Sequence, residues 1–515
     1  LQGENINNVQ LDTDLDKNLV YLESVFDKVS DLIIKKFVIG QQDTTRAILI
    51  YVSGLVEKTV VNTSILRPLM VTSRDKDIVE NSTAGDLQDI IKNSLLNVGE
   101  VSTVNESDVL IDDLVSGNAI LLVDGYSQVL SLSIQAKETR DVVEPETETV
   151  VRGPKEGFVE DFNVNISLLR RRIKTPDLKL ESYQVGRVSK TDVVVAYLSG
   201  TVEDKVVAEV KERVKRIDVD MINESGNIEQ LIEDNPYSPF PQMTNTERPD
   251  GVASALNEGR VAIIVDGTPF ALIVPSVLIH FLQANEDYYE RFLFPTAIRV
   301  LRVIAFFIAL LGPSVYVAIT TYHQEMIPTP LLISIAASRS GVPFPGLIEA
   351  LLMEISFEAL REAGLRLPRP VGQAVSIVGA LVVGEAAVQA GLVSRAMVIV
   401  VALTGISSFI IPAYNMGNAI RLLRFPIIFL AGSLGMFGIT FAILFLLIHL
   451  SALRSFGVPY LSPITPIDLS GLKDSIIKVP EWFKNNRPTF LVKEDKKRVK
   501  SNAKPTPNKQ GEGNE

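Results

Sequence analysis

Four apolar stretches between residues 291 and 463 limit what this chain can fold into. They run from about Ala297 to Thr320, Gly372 to Val393, Ala396 to Ala413 and Pro426 to Leu450, each near the roughly 20 residues that carry a helix across a hydrocarbon core. Buried core helices of a soluble domain explain four such runs poorly. Residues 1–290 are mixed and polar, and 464–515 are polar again. Small residues recur four apart in the second run (Ala380 with Gly384, Ala386 with Ala390, Ala387 with Gly391), and Ala431, Gly432, Gly435 and Gly438 sit in the fourth. Such spacing lets helix backbones approach closely in lipid. Gly312-Pro313 falls inside the first run and predicts a kink, since proline removes a helical hydrogen bond.

Between the first two runs lies the stretch with the most unusual chemistry. Pro328, Pro330, Pro343 and Pro345 bracket an apolar segment too short to span, a candidate gating segment. "GLIEALLMEISFEALREAG" follows and reads as an amphipathic helix. Glu354, Glu358 and Glu362 fall four apart and share one face, with Glu349 near its edge. Two readings follow: a solvated helix lying on the bilayer, or a vestibule helix whose carboxylates repeat around an oligomer and concentrate cations. Glu385 stands alone inside the second run, where a carboxylate needs a partner or an aqueous cavity. These five glutamates are the candidate ion path.

The first half of the chain carries an internal repeat. "YVSGLVEK" (Tyr51–Lys58) returns as "YLSGTVED" (Tyr197–Asp204), and "LVSGNAILLVDG" (Leu114–Gly125) as "LNEGRVAIIVDG" (Leu256–Gly267). Each copy reads as a strand closing into a Ser-Gly turn, then a helix ending at Gly117 or Gly259. A buried strand follows and stops at an Asp-Gly turn. The expectation is two copies of one α/β module, at 20–145 and 185–290, joined by a connector over 146–184. The consecutive Arg170, Arg171 and Arg172 suit an ion-paired surface between modules, or a phosphate.

Exclusions follow from what the chain lacks. It has no cysteine and only three histidines, far apart in sequence, so no thiol chemistry and no histidine-rich metal site is expected. A net charge of −11 argues against nucleic acid. No phosphate-binding glycine loop, nucleophile elbow or Ser/His/Asp arrangement stands out, so neither an enzyme nor a cofactor is expected. No basic stretch followed by an apolar run opens the chain, so the expectation is a cytoplasmic N-terminal half. Residues 470–515 hold eleven lysines and arginines against six acids, which favours a cytoplasmic tail. Four crossings satisfy both ends but place Arg366, Arg369, Arg421 and Arg424 outside, against the same rule. The fold class expected is a multidomain membrane protein: two tandem α/β modules, then an all-α transmembrane domain of about four helices with a membrane-associated helical hairpin (291–463), then a polar basic tail (464–515).

Long segments resemble the A-subunits of the GerA-type nutrient germinant receptors of spore-forming bacteria. They are "RGPKEGFVEDFNVNISLLRRRIKTPDLKLE", "NPYSPFPQMTNTERPD", "FLQANEDYYERF", "EMIPTPLLISIAASRSGVPFPGLIEALLMEISFEALREAGLRLPRPVGQAVSIVGALVVGEAAVQAGLVS" and "LRSFGVPYLSPITP". The resemblance runs from Val151 to Pro466, and the first module is more divergent. It implies a protein of the spore inner membrane that works with a transporter-like B-subunit and a lipoprotein C-subunit. It also implies an oligomer, a pentamer in the family's proposed model, around a cation-conducting pore that opens at germination. Two other readings stay open: a non-conducting scaffold that signals onward, and a SpoVAF-type paralogue that amplifies germination. A lone secondary transporter fits poorly, because the membrane half shows no inverted repeat.

Overall fold

A computed structural model describes residues 10–40, 45–73, 88–136, 144–366, 384–484, 486–488, 490–492 and 497. The chain forms two compact units. The first comprises residues 1–233, 245–275 and 487–498; the second comprises 234–244, 276–486 and 499–515.

The first unit holds two five-stranded sheets. Helix α1 (Leu15–Val25) is capped by the Asp14 side chain, which accepts from the Asp16 amide. Strands β1 (Leu32–Ile39) and β2 (Thr45–Val52) pair antiparallel. Helical turns over 58–72 and 88–95 follow, then β3 (Val101–Val104), α2 (Ser107–Ser116), β4 (Ala119–Val123) and β5 (Val129–Leu132). The sheet order is β1-β2-β4-β5-β3. Side chains alternate along a strand, and both faces are covered here. Ala47 and Leu49 of β2 and Leu121 of β4 join the core under the 58–72 turns, while Ile48, Ile50, Ile120 and Leu122 pack under α1 and α2. Leu121 is fully buried, so Leu121→Ala removes about 2–5 kcal/mol.

The second sheet repeats this order as β6-β7-β9-β10-β8. Its elements are α3 (Phe162–Arg172), β6 (Leu178–Val185), β7 (Thr191–Leu198), α4 (Asp204–Lys215), α5 (Ser225–Ile232), β8 (Thr244–Thr246), α6 (Pro249–Asn257), β9 (Val261–Val265) and β10 (Ala271–Val274). β6 starts 146 residues after β1 (Leu178 against Leu32), and β9 starts 142 after β4 (Val261 against Ala119). Gly117 and Gly259 end their helices at φ +98° and +89°, a conformation that suits glycine.

The second module begins earlier than its expected start at 185. α3 supplies Ile166, Leu168 and Leu169 to the second core, and β6 pairs with β7 along its whole length, so both leave the expected 146–184 connector. The two modules meet through Arg170, whose guanidinium holds Asp31 of the first module at 2.9 and 3.0 Å with both groups buried.

The second unit is helical: α7 (Leu293–Tyr322), α8 (Thr329–Arg339), α9 (Gly346–Arg366), α10 (Arg395–Ile410), α11 (Tyr414–Leu434) and α12 (Met436–Ala452). Two of these, α7 and α11, are long and apolar enough to cross a membrane, and α10 and α12 are shorter apolar helices. The expected fourth span, 426–450, is divided. Gly435, at φ +64°, ends α11 and starts α12. Residues 372–383 of the expected second span lie outside the described residues, as do 498–515 of the tail. The tail's nearer part is packed: Lys478 and Lys484 are buried in the second unit, and Leu491 and Val492 in the first.

Candidate functional site

One charged cluster of the helical unit lies between α9 and α11, and the arrangement begins with a proline. α7 continues through Pro313. Proline has no N–H, so the carbonyl four residues earlier, that of Ala309, loses its helical donor. Arg424 of α11 supplies one: its Nε donates to the Ala309 oxygen at 2.8 Å. Its Nη1 meets Glu354 Oε2 of α9 at 2.6 Å. Arg424 and Glu354 are 1% and 0% exposed. One turn along, Arg421 donates through Nη1 to Glu358 Oε2 at 2.7 Å and through Nη2 to Asn418 Oδ1. Arg361 completes the group, its guanidinium 4.4 Å from the Phe409 ring centre and 3.3 Å from Ser408 Oγ.

Close helix approach makes this possible. The Phe357 ring of α9 fills the space where a Cβ on Gly405 would stand, 2.5 Å away, and Leu347 fills the corresponding notch at Gly432. At the other end of α9, Glu349 is buried and accepts from the Ser394 amide at 2.5 Å and from the Ser394 hydroxyl. Ser394 is the N-cap of α10, where helix amides favour an anion. Arg339, the last residue of α8, stands 3.7 Å from Glu349.

The five sequence-derived carboxylates therefore separate. Glu349, Glu354 and Glu358 have partners inside the chain, so the solvated acidic face expected for α9 is absent at its first half. Glu362 is exposed and pairs with Arg366 at 2.7 Å, and Glu385 is exposed beside Gln389 at 3.0 Å. Pro328 is the N-cap of α8, Pro330 lies in its first turn, and Pro343 and Pro345 lead into α9. α8 buries none of its residues.

Sequence reading missed Arg339, Arg421 and Arg424 as partners. The signal was present: two arginines three apart in an apolar run demand compensation. It missed a second cluster too. Buried Asp287 accepts from Arg299 at 3.0 Å and Arg302 at 2.6 Å. Arg299 also reaches Asp474 at 3.0 Å, which Lys484 holds at 2.8 Å. These bonds tie residues 474–484 to the start of α7.

In the first unit, an open cleft of 590 Å³ lies where the modules meet, with Asp27, Lys28, Ser30, Ser182, Tyr183 and Lys215 among its lining. Its Glu181 is already taken by Lys211, Tyr197 and Tyr183. Burial pushes this carboxyl up, but those three hydrogen bonds outweigh it and hold the group below its ordinary value. Among the described residues, no group of three or more His, Cys, Asp or Glu is placed to hold a metal ion.

Comparison with known proteins places this architecture. Residues 20–490 match the model of the Bacillus/Clostridium GerA spore germination protein family. Spore germination protein KA of Bacillus subtilis (strain 168) is 48% identical over 506 residues, covering 98% of this chain and 92% of that protein. The membrane protein YfkQ of the same strain is 45% identical over 474 residues, covering 92% and 90%. Among solved structures, the N-terminal domain of the A subunit of the Bacillus megaterium germinant receptor GerK3 matches at 38% identity and a TM-score of 0.41, over 53% of this chain and 98% of that one. Bilayer-length apolar helices fit a membrane protein, and the matches extend over nearly the whole chain: it belongs to the GerA family of spore germination proteins.

Proposed function

We propose that this chain is the A-type membrane subunit of a nutrient germinant receptor in the spore inner membrane. In this reading it oligomerises, as a pentamer by the family's proposed model, and forms a cation path. A transporter-like B-subunit binds nutrient and opens that path, and a lipoprotein C-subunit completes the assembly. Its role is conduction and signalling rather than catalysis. The two soluble modules are copies of one unit, held on the cytoplasmic side.

The observation that carries this reading is α8. It is an apolar helix of 11 residues, too short to cross a bilayer, with Leu331 and Ile333 more than half exposed. A bare apolar helix among bilayer-length helices needs lipid or a neighbouring copy to cover it. Its prolines make both ends abrupt, which suits a segment with two stable positions. The exposed carboxylates, Glu362 and Glu385, are the ones available to form rings in an oligomer. Glu349, Glu354 and Glu358 hold α9 to α10 and α11 and keep the gating segment in place.

One observation favours the non-conducting scaffold instead: three of the five candidate carboxylates are neutralised within the chain. A SpoVAF-type role shares the same membrane half. The test is nutrient-triggered potassium release from spores lacking this chain, complemented with wild type or with Glu362→Gln/Glu385→Gln. Restoration by wild type and slower release in the variant supports a path past these carboxylates; equal release moves the proposal to the scaffold.

A further inference from the structure

The two soluble modules are closed by different parts of the chain, at one equivalent slot. In the first module the segment after β5 turns back over the end of β2. The Glu57 amide donates to the Ile134 carbonyl at 3.1 Å, the Ala136 amide donates to the Leu55 carbonyl at 2.8 Å, and Val56 faces Gln135 in an antiparallel bridge. Gly117 borders this slot: a Cβ there would stand 3.1 Å from the Leu55 oxygen and 3.4 Å from the Gln135 side chain.

The equivalent positions in the second module are Val202 and Gly259, related to Val56 and Gly117 by the same two spacings as the strands. Here the segment after β10 is not available. The chain leaves the module at Pro275 and enters the helical unit. The slot is nevertheless filled, by residues that come more than 200 positions later. Val492 faces Val202 in an antiparallel bridge. Leu491 and Val492 are 1% and 4% exposed. The Leu491 oxygen lies 2.8 Å from where a Cβ on Gly259 would stand, so only glycine admits the strand without a shift. Arg487 fixes the register, donating through Nε to the Asn257 carbonyl at 2.8 Å and through Nη2 to Asn257 Oδ1 at 3.1 Å.

We infer that the slot between Val202 and Gly259 is a strand-docking site for an extended peptide with an arginine followed by a Leu-Val pair, and that its resident ligand is supplied by the chain's own Arg487, Leu491 and Val492. The main part of the helical unit, 276–486, is then an insertion within the second module, which the chain leaves at Pro275 and re-enters at Arg487. The module is complete only after residues 276–486 have been made. The burial of Leu491 and Val492, just ahead of the lysine-rich residues 493–500, is accounted for by the same docking, since backbone pairing supplies affinity and a buried side-chain pair supplies selectivity.

The chain has no cysteine, which makes cross-linking clean. In full-length protein in detergent, the pair Val202→Cys/Val492→Cys is expected to oxidise and hold the N- and C-terminal proteolytic fragments together. Val188→Cys/Val492→Cys, with Val188 exposed at the opposite end of β7, is the control. In a second measurement, Leu491→Asp/Val492→Asp should speed amide exchange at Val202 and Val261 by about tenfold or more while leaving Val56 and Ala119 of the first module unchanged. A synthetic peptide of residues 484–495 should restore protection to that variant. Cross-linking no greater than the control, exchange unaffected by the two aspartates, or a peptide that restores nothing would each overturn the inference.

Discussion

Arg424 donates a hydrogen bond at 2.8 Å to the carbonyl of Ala309, the one carbonyl in α7 that Pro313 deprives of its helical donor. The same guanidinium pairs with Glu354 at 2.6 Å. One side chain thus repairs the break in α7 and pins α9, and α11 carries it. Lysine is a poor replacement, because its ammonium lacks the rigid planar fork that fixes the direction of both bonds.

Arg424→Met should cost about 3–5 kcal/mol, because it strands a buried carboxylate. Arg424→Met/Glu354→Met should cost less than either single change, since the lone charge is then gone. Thermal unfolding of the purified protein in detergent checks both. A double variant no more stable than the singles would show that the pair is not coupled.

Arg421 and Glu358 form the neighbouring pair at 2.7 Å, with both side chains partly exposed. Reversing the charge at either one should destabilise the helical unit by about 1–3 kcal/mol, and Glu358→Arg/Arg421→Glu should recover part of that loss. A double-mutant cycle on unfolding temperature reads the coupling directly.

The interface between the modules includes the pair Arg170 and Asp31, both buried, beside a backbone bridge between Val29 and Leu180. Asp31→Asn keeps the shape but removes the charge that the guanidinium needs, at about 3 kcal/mol. Faster proteolysis between the modules, with each sheet's core amides still protected, is the expected result. Slow cleavage equal to wild type would place the modules' cohesion elsewhere.

Glu148, which accepts a hydrogen bond from Thr246 of the second module, provides a pH dependence. Burial raises its carboxyl from the ordinary 4.5 to about 7; the Thr246 hydrogen bond and Arg248 oppose that, while Glu247 and Asp250 add to it. Below pH 4.5 the group is neutral folded or unfolded, and its contribution to stability is fully present. As pH rises from 4.5 through 7, the unfolded chain gives up the proton first, so this contribution falls. Glu148→Gln should flatten the pH dependence of the module's unfolding across that window. An unchanged slope would exclude Glu148 as its source.

Much of the first unit was legible because its signals are local. Two repeated segments marked β2, β4, β7 and β9, and Gly117 and Gly259 marked the helix ends. β6 was lost to the connector because "LKLESYQV" mixes polar and apolar residues as an edge strand does, without the continuous apolar run of β7. In the helical half, spacing placed Glu354, Glu358 and Glu362 on one face, but spacing cannot say what that face meets. The partners stand 63 and 70 residues away, on a helix whose arginines read only as a topological conflict. The spacing of Gly435 from Ala431 suggests a packing residue; its positive φ makes it the end of a helix. The docking of Leu491 and Val492 pairs segments too distant for any local pattern to reveal.

The most direct test of the central claim is cation flux in liposomes holding the purified chain, with and without the two partner subunits, for wild type and Glu362→Gln/Glu385→Gln. The account predicts flux that requires the partners and nutrient and that falls in the double variant, with the complex intact. Assembled complexes that respond to nutrient but pass no cations would contradict it and leave this chain a relay to a separate channel.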